Sequence, residues 1–198
     1  MSGARKPPLR TFLALWPDAA VRAGLAERSA VAARACAGRA PPPDSLHLTL
    51  VFIGATPVDR VPAIASMMDA IDAPPFALRF DRSGWFRQSG VAWLGSRAAP
   101  SALMLLQDSL ARGAARLGFS LDVRPYAPHL TLARDVRRPL PDRAFAPLDW
   151  RVTAFTLMAS ELLPAGPRYR LLHERALVAE AVPDATSNVS MEPLVKAS

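Results

Sequence analysis

Ser45-Leu46-His47-Leu48-Thr49-Leu50-Val51-Phe52 and Pro128-His129-Leu130-Thr131-Leu132-Ala133-Arg134 carry the same tetrapeptide, His-Leu-Thr-Leu, at two distant points of one chain. Only three histidines occur among the 198 residues, so two of them share one local setting. Alternation of apolar and polar positions predicts a strand at each site. Side chains two apart then share a face. His47 and Thr49 lie on one side, opposite Leu46, Leu48, Leu50 and Phe52. His129 and Thr131 lie opposite Leu130 and Leu132. Leucine packing accounts for repeated leucines, but not for a repeated imidazole and hydroxyl on the other face.

Working outward, each motif closes a similar unit. Leu9 to Leu15 reads as a strand, Asp18 to about Ala35 as a helix, and Leu46 to Ile53 as the motif strand. Val91 to Leu94 is a strand, Pro100 opens a helix capped near Gly118, and His129 to Ala133 is the second motif strand. Leu15 to His47 is 32 positions and Leu94 to His129 is 35. The repeat predicts two related α+β lobes rather than independent domains. Further strands are expected at Phe76–Phe80, Phe119–Val123, Arg151–Leu162 and Tyr169–Val178. Gly84 to Gly90 reads as a turn region. A helix is expected after Thr56-Pro57, with Thr56 as its cap and proline in its first turn. The segment beyond Pro183 reads as a frayed tail, so residues 1–182 are taken as one bilobal domain and 183–198 as the tail.

Hydrophobic residues make up 51% of the chain, enough for a real core. Net charge is +7, carried far more by arginine than lysine, which favours a polyanionic partner such as RNA. Cys36 is alone, so neither an intrachain disulfide nor a thiolate metal site is available. No apolar run approaches the roughly 20 residues needed to span a bilayer. The expectation is a soluble, cytoplasmic monomer that uses no metal and no cofactor.

Two imidazoles and two hydroxyls on facing surfaces suit phosphate chemistry. An imidazole titrates near neutrality, so one ring can be neutral while its partner is protonated. That is the requirement for paired base and acid catalysis. Threonine hydroxyls can donate to non-bridging phosphate oxygens. His173 lacks the accompanying threonine and is assigned a structural role.

The paired His-x-Thr motifs resemble those of the 2H phosphoesterase superfamily. The opening Arg10-Thr11-Phe12-Leu13-Ala14-Leu15-Trp16-Pro17 and the run Pro128 to Arg134 are similar to its RNA 2′,3′-cyclic phosphodiesterases, historically called 2′-5′ RNA ligases. The likeness covers about residues 9 to 178. It implies a bilobal pseudo-twofold fold, with two antiparallel sheets and flanking helices around a central cleft. It implies hydrolysis of a 2′,3′-cyclic phosphate on RNA, tRNA fragments or small cyclic nucleotides to a 2′-phosphate, with reversible 2′-5′ ligation as a side activity. It also implies His47 as proton donor to the departing 3′ oxygen and His129 as acceptor from water. The identical motifs alone leave that order open.

Arg134 matches a phosphate-contacting position of the family, and Phe52 a base-stacking one. Strict strand parity places both on the leucine face, so Arg134 reaches the cleft only if the strand ends or bulges near Ala133. For Phe52 a plain core role competes equally. A non-catalytic RNA-binding module is the alternative function, although binding alone has no need of paired acid and base. Energy-driven ligation, a serine hydrolase and a metallophosphoesterase all lack their motifs.

Overall fold

The computed structural model describes residues 7–163 and 166–178; the expected tail lies outside the described residues. Among these residues, nine strands and three α-helices follow in order. They are β1 (Leu9–Leu15), α1 (Ala19–Ala35), β2 (Leu48–Thr56), α2 (Val61–Asp69), β3 (Phe76–Phe80), β4 (Arg82–Phe86), β5 (Val91–Gly95), α3 (Ser101–Arg116), β6 (His129–Ala133), β7 (Leu148–Val152), β8 (Ala154–Leu163) and β9 (Gly166–Ala176). Two antiparallel sheets form, as expected. The larger has the order β4-β5-β6-β2-β1-β8-β9, and the smaller pairs β3 with β7.

The repeated units are two halves of the larger sheet. β1 pairs with β2 and β5 with β6, and the motif strands β2 and β6 meet at the centre through Leu48 and Leu130. The helices cross over: α1 packs on β6 and α3 on β2. One apolar cluster therefore draws on both halves, with Leu13, Leu48, Leu50, Leu103, Leu106, Leu130 and Leu132 all within it.

Local chemistry sets the helix ends. The Asp18 carboxylate accepts the Val21 N–H at 2.9 Å and starts α1. At the end of α3, Gly118 takes φ +83°, its N–H bonds Ala115 O and the Phe119 N–H bonds Ala114 O. That 5→2 and 6→1 pair is the glycine-based stop.

Several elements differ from expectation. Phe119 to Val123 forms no strand: Phe119 closes the helix cap, and its ring and Leu121 pack against the core instead of joining a ladder. The supposed turn region contains β4, an edge strand paired with β5 throughout Arg82–Phe86. The stretch after Arg151 is split at Thr153, where the chain leaves the small sheet and enters the large one. Thr56 caps no helix. It ends β2, and its buried hydroxyl bonds the Thr11 hydroxyl at 2.7 Å; a 3₁₀ turn, Val58–Arg60, then leads into α2.

Candidate active site

The active face is built around the Leu48–Leu130 pair. The two motif strands run antiparallel through this pair, so His47 and Thr49 flank Leu48 while Thr131 and His129 flank Leu130. All four side chains thus leave one face of the sheet around a local twofold axis, while Leu48, Leu50, Leu130 and Leu132 are buried on the other.

Each imidazole is held in the same way. His47 Nδ1 lies 2.7 Å from Ser45 O, and His129 Nδ1 lies 2.8 Å from Ala127 O. A carbonyl only accepts, so each Nδ1 carries the proton and each Nε2 is left to exchange one with a ligand. A third tie joins the halves: the Tyr126 hydroxyl, ahead of β6, donates to Thr49 O at 3.0 Å. Burial holds this phenol above its usual pKa range.

Two bulges decide what else reaches the active face. In β2, Ala14 pairs with Thr49 but Leu13 pairs with Val51, so Leu50 is an extra residue. In β6, Trp93 pairs with Thr131 but Ala92 pairs with Ala133, so Leu132 is the equivalent extra residue. Each bulge reverses the alternation beyond it. Leu50 and Val51 are both buried, as are Leu132 and Ala133. Phe52 and Arg134, five positions after their histidines, are turned to the active face. Strict parity therefore misplaces both; for Phe52, which is 45% exposed, it also gives the wrong environment.

The second bulge is supported from behind. The Ser29 hydroxyl of α1 donates to Leu132 O at 2.6 Å. Arg39 and Arg134 exchange both backbone hydrogen bonds, at 2.8 and 2.9 Å. Gly38 permits that approach, since a Cβ there would sit 2.7 Å from Arg134 O.

The walls are aromatic. Trp16 lies parallel to His47, at 5.0 Å between centroids and 2° between planes. Phe12 and Tyr169 close on the same imidazole at 5.0 and 5.2 Å. His129 meets Phe86 edge-on at 5.0 Å, and Phe86 stacks on Trp93. Burial lowers the His47 pKa to about 4; the hydrogen bond to Ser45 opposes this, while the charges of Arg134 and His129 add to it. Burial raises the Tyr169 pKa, against the pull of Arg134 and Arg10. These couplings bring Arg134 electrostatically within reach of both His47 and Tyr169.

Trp16, Tyr169, Phe86 and Tyr126 were not anticipated. Only Trp16, beside the first unit's strand, left a sequence signal. His173 stands apart, with Nε2 2.8 Å from Asp69 Oδ1. Among the described residues no group of three or more His, Cys, Asp and Glu side chains is arranged to hold a metal ion.

Known proteins are similar to this chain in sequence and in fold. A family model described as the 2′-5′ RNA ligase superfamily matches residues 17–162. The RNA 2′,3′-cyclic phosphodiesterase of Escherichia coli is 36% identical over 172 residues, covering 86% of this chain and 97% of that protein. The protein of the same name from Thermus thermophilus is 32% identical, covering 87% and 92%. Among solved structures, E. coli LigT complexed with 3′-AMP superposes with a TM-score of 0.80 at 35% identity, over 87% of this chain and 99% of that one. The chain belongs to the 2′-5′ RNA ligase superfamily.

Proposed function

We propose that this protein hydrolyses the 2′,3′-cyclic phosphate at RNA 3′ ends to a 2′-phosphomonoester. His47 and His129 act as the acid–base pair, and Thr49, Thr131 and Arg134 hold the phosphate. The observation that carries this reading is the twofold set of His and Thr side chains around Leu48 and Leu130, on a face that also receives Arg134.

A phosphate centred on that axis meets one Nε2 from either side. His129 takes a proton from water as its oxygen bonds to phosphorus. The bond from phosphorus to O3′ breaks, and His47 gives O3′ a proton. The threonine hydroxyls and the Arg134 guanidinium donate to the non-bridging oxygens, where charge builds in the transition state. A 5′-hydroxyl in place of water yields a 2′-5′ linkage by the same steps, and the reverse reaction cleaves it.

In the empty cleft His47 is neutral at pH 7, since its pKa is lowered to about 4. A phosphodiester anion counters the Arg134 contribution to that lowering, so substrate binding raises the proton affinity of the ring against the larger effect of burial. The substrate class spans RNA ends, tRNA fragments and small cyclic nucleotides. We read residues 1–182 as one functional unit that acts as a cytoplasmic monomer, and Phe52 as a surface for a base.

The test is product analysis on an oligoribonucleotide ending in a 2′,3′-cyclic phosphate. Wild type is expected to leave a 2′-phosphate, and His47→Ala and His129→Ala to leave the ring closed. Undiminished turnover in both variants, or a 3′-phosphate product, overturns the reading.

A further inference from the structure

We infer that Arg10, carried on the ring of Phe52, forms a second phosphate site for the linkage on the 5′ side of the reacting nucleotide. The chain then prefers oligonucleotide ends to cyclic mononucleotides. This rests on the reading of the cleft given above.

Alternation along β1 places Arg10 on the same face as Phe12, which packs against His47. Two strand residues span about 6.7 Å, so Arg10 emerges roughly that far beyond the wall of the catalytic cleft. The Arg10 guanidinium carbon lies 4.7 Å from the Phe52 ring centroid. A guanidinium held over an aromatic ring can keep its N–H edge for a phosphate, which it binds in bidentate fashion.

Phe52 can play this part only because the Leu50 bulge turns it out of the core. The two side chains border a shallow cavity of about 290 Å³ together with Pro8, Leu9, Gly54 and Ala55. Gly54 takes φ +87°, and a Cβ there would lie 3.6 Å from the Phe52 ring.

Charge accounting supports the same conclusion. Arg22, Arg39, Arg79 and Arg97 each pair with an aspartate. Among the described residues Arg10, like Arg134, pairs with no carboxylate. Arg10 and Arg134 both act electrostatically on the Tyr169 hydroxyl, so the two guanidiniums flank one aromatic wall. A ribonucleotide whose cyclic phosphate lies between the histidines has one other charged group, its 5′ phosphate. That group exists as a diester linkage only in an oligonucleotide.

The experiment compares 2′,3′-cyclic AMP with a dinucleotide ending in the same cyclic adenosine, in wild type, Arg10→Ala and Arg10→Lys. The ratio of kcat/KM for dinucleotide over mononucleotide is expected to exceed one in wild type. Loss of a charge-assisted contact should lower that ratio about tenfold in Arg10→Ala, chiefly through KM, and less in Arg10→Lys. A wild-type ratio of one, or a ratio unchanged in Arg10→Ala, overturns the inference while leaving the phosphodiesterase reading intact. Binding of the matching 2′-phosphate products separates the two claims in the other direction. If neither substrate is hydrolysed but the affinity ratio still depends on Arg10, the second site stands and the proposed chemistry falls. An affinity ratio indifferent to Arg10 overturns the site.

Discussion

The two halves of the large sheet present one tetrapeptide in unlike surroundings. Opposite Thr49 on the neighbouring strand sits Ala14; opposite Thr131 sits Trp93. Two residues further, the assignment of bulk reverses. Trp16 stacks flat on His47, whereas Gly95 pairs with His129. The first histidine is enclosed by Trp16, Phe12 and Tyr169; the second has one aromatic edge contact, from Phe86. The bulges are equivalent, yet one delivers Phe52 and the other Arg134. Backbone symmetry positions two copies of a His–Thr pair, and a few side-chain choices around it make the copies chemically distinct.

The sharpest way to break this comparison is to remove each imidazole in turn. Both alanine variants are expected to lose about 10²–10⁴ in kcat on a cyclic-phosphate oligonucleotide. Their stabilities should part. His47→Ala leaves a hole among three aromatic rings and should cost about 2 kcal/mol in urea melts, while His129→Ala should cost under ~1 kcal/mol. Equal costs would show that the two environments are energetically alike. Bis(4-nitrophenyl) phosphate sharpens the roles, because its leaving group needs no proton: the variant lacking the donor should retain the larger share of its activity on it.

Exchange at the twin bulge positions comes next. Arg134→Ala removes a charge-assisted phosphate contact and should lower kcat/KM about tenfold to a hundredfold. Phe52→Ala should reduce it less and only for oligonucleotides. The reverse order would mean that Arg134 does not meet the phosphate.

The enclosure of His47 also has a pH signature. Its folded-state pKa, about 4, lies below the ordinary value of 6.5. The unfolded chain therefore takes up its proton first as pH falls. The resulting stability is fully present above pH 6.5 and is lost as pH falls toward 4. The loss amounts to at most ~3 kcal/mol by linkage, and His47→Gln should flatten the profile over that window. A wild-type curve as flat as the variant's would refute the shift.

The smallest effect on activity is expected at the edge of the second half. Gly84 faces Trp93, and an added Cβ would come within 2.8 Å of the indole Cε2. Gly84→Ala should cost about 1–3 kcal/mol through displacement of the indole, with a modest rise in KM. A neutral substitution would show that Trp93 is free to move.

Much of this was legible in the chain. The duplicated tetrapeptide located the two motif strands, and period-two alternation separated the His–Thr face from the leucine face. Alternation failed where the backbone gained a residue. Nothing in Leu50-Val51 or Leu132-Ala133 announces a bulge, because two adjacent apolar residues read equally as one buried strand. β4 was hidden by Gly84, which looks like a turn residue but makes room for an indole. The aromatic walls were illegible for a different reason. Tyr169 and Phe86 belong to strands distant in sequence from the histidines they touch, and only sheet order brings them there.

The exchange of helices between halves has a consequence for how the molecule is made. Each motif strand is roofed by a helix encoded in the opposite half, so translation of the first half ends with Leu48 and Leu50 still awaiting α3. A chain nicked between Gly95 and Pro100 should accordingly persist as a two-fragment complex, and neither fragment expressed alone should acquire a protected core.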